Sequence, residues 1–391
     1  MRPLSFFSID KHALWGSESW EISAVEGSET VLYVESPQER ERRLFADADE
    51  ECQYFDNKNH SETSLVQIVD RYKEKLMGKK VWKAFDGKFP LLVKFINAKD
   101  DLSVQVHPSD EMAIRKGYPN GKTEFWYVID AVGSAYIFDG FREPMNPSKL
   151  RSLLTCDLKS HDIVGRDSEW TSLGGSMKDV AEEDGIEAGF EISNTLNRHV
   201  AKKGDWYFIP AGRVHSIGSG TYLVEIQQAS QLTYRLFDFN RVNKEGQHRK
   251  LDIEEAIEAV DYTPLPYGKD CGNVIEDNLK RGGKTEVEKL VKCKYFTSSM
   301  IHLKHSGADK CQTQKYIFDF SKYDSFVIIV CTNGTGSICF TDEDARDSEE
   351  AGRQIITIKK GDVYLLPAAL KCIEINYSAD LRILETHIDV D

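Results

Sequence analysis

The segment KKGDWYFIPA at 202–211 is echoed by KKGDVYLLPA at 359–368, 157 residues further along the chain. Each copy has a glycine at a turn, a short apolar run typical of a strand, and a proline that begins the next turn. An internal repeat of this length indicates two copies of one β-module in a single chain. The alternative is that KKGD is a frequent way for a turn to enter a strand.

Other strand-like segments lie on both sides of the first copy, separated by turns rich in glycine, proline, asparagine and aspartate. They are found at 30–34, 91–96, 102–107, 124–130, 135–139, 205–209 and 221–227. This pattern predicts a mainly β protein built as a barrel or sandwich. Helical periodicity is confined to segments such as 64–77 and 253–260, where the apolar residues form one stripe.

The strand pattern stops between about 144 and 191. Helix-like pieces at 147–154 and 177–183 predict a helical insertion there, between two strands. A charged segment with prolines at 262–284 is the predicted linker. We therefore expect a first domain over 1–265 that carries the site, and a second β-domain over 266–391.

The composition is that of an ordinary globular protein, with 391 residues, 40% hydrophobic and 29% charged. Lysine and arginine number 50 against 64 aspartates and glutamates, and the net charge of −14 argues against nucleic acid as a partner. No run approaches the roughly 18 apolar residues of a membrane span, so no membrane partner is expected. Eight cysteines without a C-x-x-C pair, and an N-terminus without an apolar h-region, predict a cytoplasmic protein.

Two sequence patterns together predict a metal site. LSVQVHP at 102–108 alternates with period two, so Ser103, Gln105 and His107 share one face of a strand. Glu124 begins the next apolar strand, and His215 closes the spacing G-x5-P-x-G-x2-H that starts in the first copy of the repeat. A lone strand histidine is more often structural. Two imidazoles, a carboxylate and an amide oxygen together suit one divalent ion, Zn²⁺, Mn²⁺, Fe²⁺ or Co²⁺.

The second copy of the repeat differs where a ligand would lie. It keeps Gly361 and Pro367, but Ala369 replaces the second glycine and Cys372 replaces the histidine. The spacing of the first copy resembles the second signature motif of the cupin superfamily, in which the histidine is a metal ligand. We therefore expect the second domain to be a cupin-like β-sandwich that holds no metal.

Several motifs, in the same order, resemble class I mannose-6-phosphate isomerases, and the short bacterial form is the nearest match. They are WEISA at 20–24, FPLLVK at 89–94, LSVQVHP at 102–108, GKTEFWY at 121–127, GDWYFIPAGRVH at 204–215 and QQASQLTYR at 227–235. The resemblance covers about 12–262 and is weak beyond 270. It implies two cupin-type jelly-roll modules and a zinc enzyme that interconverts mannose 6-phosphate and fructose 6-phosphate through an enediol. A phosphorylated hexose would be its substrate.

The resemblance also implies roles for single residues. The family's metal ligands fall on the four residues identified above: Gln105, His107, Glu124 and His215. Its catalytic positions fall on Arg235, Lys122 and Glu225. Its phosphate contacts fall on Ser103 and Lys94.

One position departs from the family pattern, because Gln231 stands where an acidic residue is usual. An aldose–ketose isomerase needs a base with a pKa near neutral to move a proton between C1 and C2. If the acid at this position is that base in the family, the role must pass to another group here. We favour Glu225 or Lys122 as the base, with Arg235 or the metal stabilising the charge on the two oxygens.

Alternative functions stay open at this point. Another metal-dependent cupin enzyme, such as a dioxygenase, is disfavoured because Gln105 replaces the first histidine of the usual H-x-H pair. A non-catalytic sugar-phosphate-binding cupin would explain Gln231, although the retained Lys122 and Arg235 argue against it. The sequence leaves monomer and homodimer equally open.

Two of the single-residue roles also have purely structural alternatives. Lys94 could snorkel from a strand edge instead of touching phosphate. Glu225 could form a structural ion pair with Arg235.

Overall fold

The computed structural model describes residues 1–33, 63–161, 190–265, 285–306, 312–341 and 353–390. Strands predominate in these ranges and form two antiparallel sandwiches, one in each half of the chain. The mainly β, jelly-roll prediction is confirmed. The helix expected at 177–183 and most of the expected linker lie outside the described residues. Within the described ranges, no helix is both long and apolar enough to cross a membrane.

The first sandwich comes from the N-terminal half of the chain. Its strands are β1 (Phe6–Phe7), β2 (Ile9–Ala13), β3 (Gly16–Ile22), β4 (Ala24–Val25), β5 (Ser28–Glu29), β6 (Val31–Leu32), β7 (Leu91–Ala98), β8 (Val104–Val106), β9 (Glu124–Ala131), β10 (Tyr136–Phe141), β11 (Leu196–Val200), β12 (Trp206–Ile209), β13 (His215–Ile217), β14 (Thr221–Gln228) and β15 (Tyr234–Phe237). Its helices are α1 (Leu65–Tyr72), α2 (Glu74–Met77), α3 (Lys79–Ala84), α4 (Asp110–Arg115), α5 (Pro147–His161), α6 (Phe190–Asn194) and α7 (Ile253–Ala259). A six-stranded sheet, β12-β9-β14-β7-β3-β2, faces a five-stranded sheet, β11-β10-β13-β8-β15.

Several predicted segments differ in detail from the structure. The strand expected at 30–34 is reduced to β6 (Val31–Leu32) within the described residues. The helix expected at 64–77 is split into α1 and α2, because Lys73 has a φ of +46° that no α-helix accommodates. The strand expected at 102–107 is shortened to β8, and Pro108, which has no N–H, follows it. Part of the predicted insertion at 144–191 is described, and it contributes α5 and the start of α6.

The second sandwich comes from the C-terminal half of the chain. Its strands are β16 (Thr285–Lys292), β17 (Thr297–Leu303), β18 (Gln314–Asp319), β19 (Val327–Asn333), β20 (Thr335–Thr341), β21 (Arg353–Lys359), β22 (Val363–Leu366), β23 (Cys372–Tyr377) and β24 (Leu381–His387). The sheet β16-β17-β24-β19-β22 faces the sheet β18-β23-β20-β21. Cys372 begins β23 and is exposed. The expected β-sandwich is therefore present.

The two copies of the repeat adopt the same local structure. In each, the aspartate accepts a hydrogen bond from the backbone N–H of the first lysine, at 3.0 Å from Lys202 to Asp205 and 2.9 Å from Lys359 to Asp362. The glycine between them has φ of +89° in the first copy and +95° in the second, a region that favours glycine. Each copy then supplies the edge strand of a sheet, β12 beside β9 and β22 beside β19.

The six-stranded sheet is buried on both faces. On β7, Leu91 and Val93 point towards the second sandwich, whereas Lys94 and Ile96 point into the first. This explains why the segment reads as a continuous apolar run rather than a half-polar one. The strand that carries Lys94 is thus an interior strand, paired on both sides with β14 and β3.

One hydrophobic core spans both sandwiches. Phe89 and Phe326, one from each half, stack with ring centroids 4.7 Å apart inside a continuous buried cluster. Nearby, the carboxylate of Asp324 accepts the first two N–H groups of α3 at 3.1 and 3.2 Å. Gly78, just before α3, lies directly against the backbone of Asp324. The second sandwich therefore closes the first along a wide apolar face.

Candidate metal centre and cavity

Three potential metal ligands meet inside the first sandwich. His107 follows β8, Glu124 begins β9 and His215 begins β13. His107 Nε2 lies 3.1 Å from Glu124 Oε1, and His215 Nε2 lies 3.7 Å from Glu124 Oε2. All three are fully buried. In the part of the chain that the structure describes, no other group of three or more histidines, cysteines or carboxylates brings its ligand atoms together in this way.

Backbone carbonyls orient both imidazole rings. His107 Nδ1 lies 2.9 Å from the oxygen of Leu232, and His215 Nδ1 lies 2.8 Å from the oxygen of Arg213. Because a carbonyl only accepts, each Nδ1 carries the proton and each Nε2 presents a lone pair. Both Nε2 atoms and Glu124 Oε2 are buried without a hydrogen-bond partner among the described residues. This donor set fits a divalent cation.

The electrostatics of the cluster favour the ligand forms of these groups. Burial and the charge of Lys122 lower the pKa of His107 to about 3. Burial also lowers the pKa of His215. Burial alone would raise the pKa of Glu124, but Lys122 and His107 outweigh it and hold that pKa well below its usual range. Neutral imidazoles and an ionised carboxylate are the states that bind a metal.

Gln105 lies in register between two other predicted site residues. Its Cα partner on β13 is His215, and its partner on β15 is Arg235. Directly paired residues of antiparallel strands point to the same face, so these three side chains form a row. Ser103 precedes Gln105 by two residues, and its Oγ lies 3.4 Å from Gln105 Oε1. Ser103 and Gln105 both line a cavity, as their alternation predicts.

The cavity beside this row has a volume of about 190 Å³ and a polar lining. The structure brings all five predicted catalytic and phosphate-contact residues onto it: Lys94, Ser103, Lys122, Glu225 and Arg235. Gln105 and Glu124, two of the predicted metal ligands, also line it, and so does Gln231. The site residues expected from the sequence thus form one constellation.

The charges along the cavity wall alternate in sign. Lys94 Nζ lies 3.1 Å from Glu18 and 3.4 Å from Glu225. Lys122 Nζ lies 2.7 Å from Glu124 and 4.0 Å from Glu225. Each buried charge therefore has an opposite partner, which such burial requires. Lys94 is only 6% exposed on an interior strand, so the alternative that it snorkels from a strand edge is wrong.

Glu225 has an unusual environment for a carboxyl group. Burial, with the charge of Glu124, raises the pKa of Glu225 to about 8, although Lys94 and Lys122 oppose the shift. Within the described residues, its ion pairs are with these two lysines. The alternative structural pair between Glu225 and Arg235 is therefore not formed.

Arg235 keeps a free donor on the cavity side of the row. Its Nε is buried without a hydrogen-bond partner in the described ranges. Burial and the nearby charge of Arg249 lower the pKa of Arg235. Arg249 itself is held by Asp238, at 2.6 Å from Nε to Oδ2. A guanidinium with an unused N–H in a polar cavity is suited to bind developing negative charge.

Sequence reasoning missed several residues of this wall, and Glu18 and Gln227 are two of them. On β3, Glu18 precedes Trp20 by two residues, so both point to the same face. Trp20 Nε1 donates to Glu18 Oε2 at 2.7 Å. On β14, Gln227 follows Glu225 by two residues and lines the same cavity. Each of them lies two residues from a residue of a recognised motif, Glu18 from Trp20 and Gln227 from Glu225. Because alternate residues of a strand share a face, the alternation could have identified both.

Asp110 connects the segment before β9 to the second sandwich. Its carboxylate accepts four hydrogen bonds, from Gly121 N at 3.0 Å, Gln228 Nε2 at 2.9 Å, Lys294 Nζ at 3.1 Å and Tyr295 OH at 2.7 Å. Gln228 Oε1 in turn accepts from Thr123 N at 3.0 Å. The residues on either side of Lys122 are thus held by a network that reaches the C-terminal half of the chain.

Comparison with known proteins gives consistent matches. A family model described as phosphomannose isomerase type I, catalytic domain, matches residues 47–127. Mannose-6-phosphate isomerase ManA of Bacillus subtilis (strain 168) is 32% identical over 285 residues, which are 72% of this chain and 70% of that protein. The crystal structure of the mannose 6-phosphate isomerase from Bacillus subtilis superposes with a TM-score of 0.69 at 20% identity, over 99% of this chain and 100% of that one. A mannose 6-phosphate isomerase bound with zinc and yttrium superposes with a TM-score of 0.64 at 15% identity, over 100% of both chains.

Proposed function

This chain belongs to the type I mannose-6-phosphate isomerase family, and from that premise we propose that it interconverts mannose 6-phosphate and fructose 6-phosphate. The cupin-type fold and the family expected from the sequence are confirmed. The observation that carries the proposal is the buried cluster of two histidines and one glutamate beside a cavity lined by two lysines and an arginine. A phosphorylated hexose is the substrate class, and a cytoplasmic location is part of the proposal.

We propose that the cluster holds one zinc ion. The proposed ligands are Gln105, His107, Glu124 and His215. Two neutral imidazole nitrogens, a carboxylate and an amide oxygen form a borderline donor set that suits zinc. A bound divalent ion would supply positive charge next to the substrate oxygens that become negative.

Glu225 is the proposed base. Its carboxylate would remove the proton from C2 of the open-chain aldose and return it to C1. The electron pair of the broken C2–H bond moves between C1 and C2, and negative charge builds on O1. Burial and the neighbouring charge of Glu124 raise the pKa of Glu225, and a carboxylate with a raised pKa is a stronger base than an ordinary one.

Two cations in the cavity support this proton transfer. Lys122 is the group proposed to exchange the second proton between O1 and O2. Its ammonium lies 4.0 Å from Glu225 and 2.7 Å from Glu124, and this supports a role beside the proposed base. The unused N–H of Arg235 would stabilise the enediolate charge.

The phosphate is proposed to contact Ser103 and Lys94. Glu18 and Glu225 already engage the ammonium of Lys94, and they raise its pKa although burial opposes this. A phosphate that binds Lys94 would therefore compete with Glu18 for it.

The test is a coupled assay of fructose 6-phosphate formation from mannose 6-phosphate, before and after chelation and after re-addition of zinc. We expect about one bound metal ion per chain, loss of turnover on chelation, and loss of both metal and turnover in His215→Ala. The control is His302→Ala, a histidine of the second sandwich outside the cluster, which should keep its metal. Full turnover of His215→Ala in metal-free buffer would disprove the proposal. Metal and sugar-phosphate binding without turnover would favour the non-catalytic alternative that Gln231 raises.

A further inference from the structure

Gln227 is a fully buried amide on the cavity wall. It lies on β14 two residues beyond Glu225, so both side chains point to the same face. Its side chain is 0% exposed and lines the cavity. Its Cα partner on β9 is Glu124. Gln227 is therefore a neighbour of the proposed base along its own strand and of a proposed metal ligand on the next strand.

Backbone carbonyls occupy the nitrogen of this amide. Nε2 donates to the oxygen of Gln228 at 2.8 Å and to the oxygen of Ser230 at 2.6 Å. A side-chain amide has two N–H donors, so both are used. The two bonds fix the orientation of the group, because a flip would set Oε1 against two carbonyl oxygens.

The oxygen of the same amide is in the opposite situation. Gln227 Oε1 is buried, and no described residue donates a hydrogen bond to it. Buried polar atoms in folded proteins nearly always have a partner, and an orphaned one calls for an explanation. The two carbonyls lie on the nitrogen side, so the oxygen is the part of the amide that remains for the cavity.

We propose that Gln227 accepts a hydrogen bond from a hydroxyl group of the hexose chain, and so helps to select the sugar. A carbonyl oxygen can only accept, and this excludes the phosphate group, whose oxygens also accept at neutral pH. The acceptor is fixed in advance, so binding does not have to order it. The inference rests on the proposed function, since it takes the hexose phosphate as the substrate. The residues of the proposed function act on C1 and C2 or contact the phosphate. Gln227 would instead recognise the rest of the sugar chain.

A non-reacting hydroxyl is the expected partner. The hydroxyls at C3 and C4 keep their bonds during the isomerisation, and a contact to one of them acts in the ground state and the transition state alike. Its loss should therefore appear mainly in KM. Such contacts discriminate between sugars, because the acceptor is left buried and unpaired when the hydroxyl is missing.

The test combines changes in the enzyme with changes in the substrate. Gln227→Met keeps the length of the side chain and removes the acceptor. Wild type and variant are assayed for kcat/KM with mannose 6-phosphate and with its 3-deoxy and 4-deoxy analogues. In the wild type, we expect removal of one of the two hydroxyls to lower kcat/KM roughly 5- to 150-fold, the cost of leaving one buried acceptor unpaired. In Gln227→Met, removal of the same hydroxyl should have no further effect.

Gln314 offers a matched control in the second sandwich. It is also buried, its Nε2 donates to the oxygen of Ser306 at 2.9 Å, and its Oε1 has no hydrogen-bond partner in the described ranges. Gln314→Met should change stability without changing the dependence on either hydroxyl.

Two outcomes would overturn the inference. One is an equal loss of kcat/KM for all three substrates in Gln227→Met, which is the result of a purely structural role. The other is a loss of bound metal in that variant, which would place Gln227 in the metal site. A wild-type enzyme that does not turn over mannose 6-phosphate contradicts the proposed function instead. In that case, calorimetric affinities of wild type and Gln227→Met for the same three sugars would test whether Gln227 binds a sugar hydroxyl, independently of turnover.

Discussion

Gly78→Ala should separate the two sandwiches at one defined contact. Gly78 has a φ of +89° and a ψ of 150°, between α2 and α3. A Cβ built at this position would lie 1.9 Å from the carbonyl oxygen of Asp324 and 2.8 Å from the nitrogen of Ser325. These are backbone atoms of the second sandwich, and they cannot rotate away. The clash can be relieved only if the two halves of the chain move apart locally.

The expected loss of stability has two parts. A non-glycine residue in such a backbone conformation costs about 1–3 kcal/mol. The movement also removes Asp324 from the N-terminus of α3, where the loss of a capping group costs about 1 kcal/mol. We therefore expect Gly78→Ala to lower the free energy of unfolding by roughly 2–4 kcal/mol.

Urea unfolding of matched variants tests this reasoning. Gly117 has a φ of +87°, and no described atom lies within 4 Å of a Cβ built there. Gly117→Ala therefore carries the cost of a positive φ without the contact. Gly78→Ala should be less stable than Gly117→Ala by about 1 kcal/mol or more. Equal losses in the two variants would refute the idea that Gly78 serves the contact between sandwiches.

Further predictions concern the site and the pH dependence of stability. Arg235→Ala should lower kcat roughly 10²- to 10³-fold with little change in KM, because the guanidinium is proposed to act mainly in the transition state; steady-state kinetics with a wild-type kcat would rule this out. Lys122→Met should abolish turnover and leave the metal content unchanged. If elemental analysis shows that the variant has lost its metal, Lys122 has a structural role instead. Gln231→Asp should change kcat less than about threefold if Glu225 is the base, whereas a large increase would move the base to position 231. Burial raises the pKa of Glu21 to about 7, although the hydrogen bond from Ser19 opposes the shift. The carboxyl group therefore ionises more easily in the unfolded chain, and wild type loses stability as the pH rises from about 4.5 to 7. Glu21→Gln should therefore gain stability over wild type between pH 5 and pH 8, by at most about 3 kcal/mol, and urea unfolding that shows the same difference at both pH values would contradict this.

The parts of the site that local patterns determine could be predicted from the sequence. The alternation of LSVQVHP placed Ser103 and Gln105 on one face, because the period of a strand is a property of the chain itself. The spacing that ends at His215 runs along β12 and through the turn that leads into β13, so it is also local. The same argument applies to the repeat, whose two copies form the same turn.

Contacts between distant segments could not be predicted in this way. The ion pair between Glu18 and Lys94 depends on the register of β3 against β7. The hydrogen bond between Asp110 and Tyr295 joins residues 185 positions apart. Neither partner carries a local sign of the other, since strand register is fixed by the packing of whole sheets.

The break at Lys73 has a different origin. The apolar stripe at 64–77 continues through it without interruption, and periodicity alone therefore predicts one helix. The positive φ of Lys73 re-aims α2 so that Leu76 and Met77 reach the core that both sandwiches share. Packing overrides the local pattern there.

The core that spans both sandwiches limits how this chain can change. Phe89 packs on Phe326 and Gly78 on Asp324, so a substitution on one side of this face must suit the fold on the other side as well. The second sandwich lacks the histidine of the repeat, yet it cannot be lost without exposing the apolar face of the sheet that carries Glu124 and Glu225. The second sandwich has no proposed chemistry of its own. The first sandwich nevertheless needs it, because the face that the two share is apolar and would otherwise be exposed to water. The sandwich that holds the proposed site is thus built against a sandwich that supplies packing surface to it.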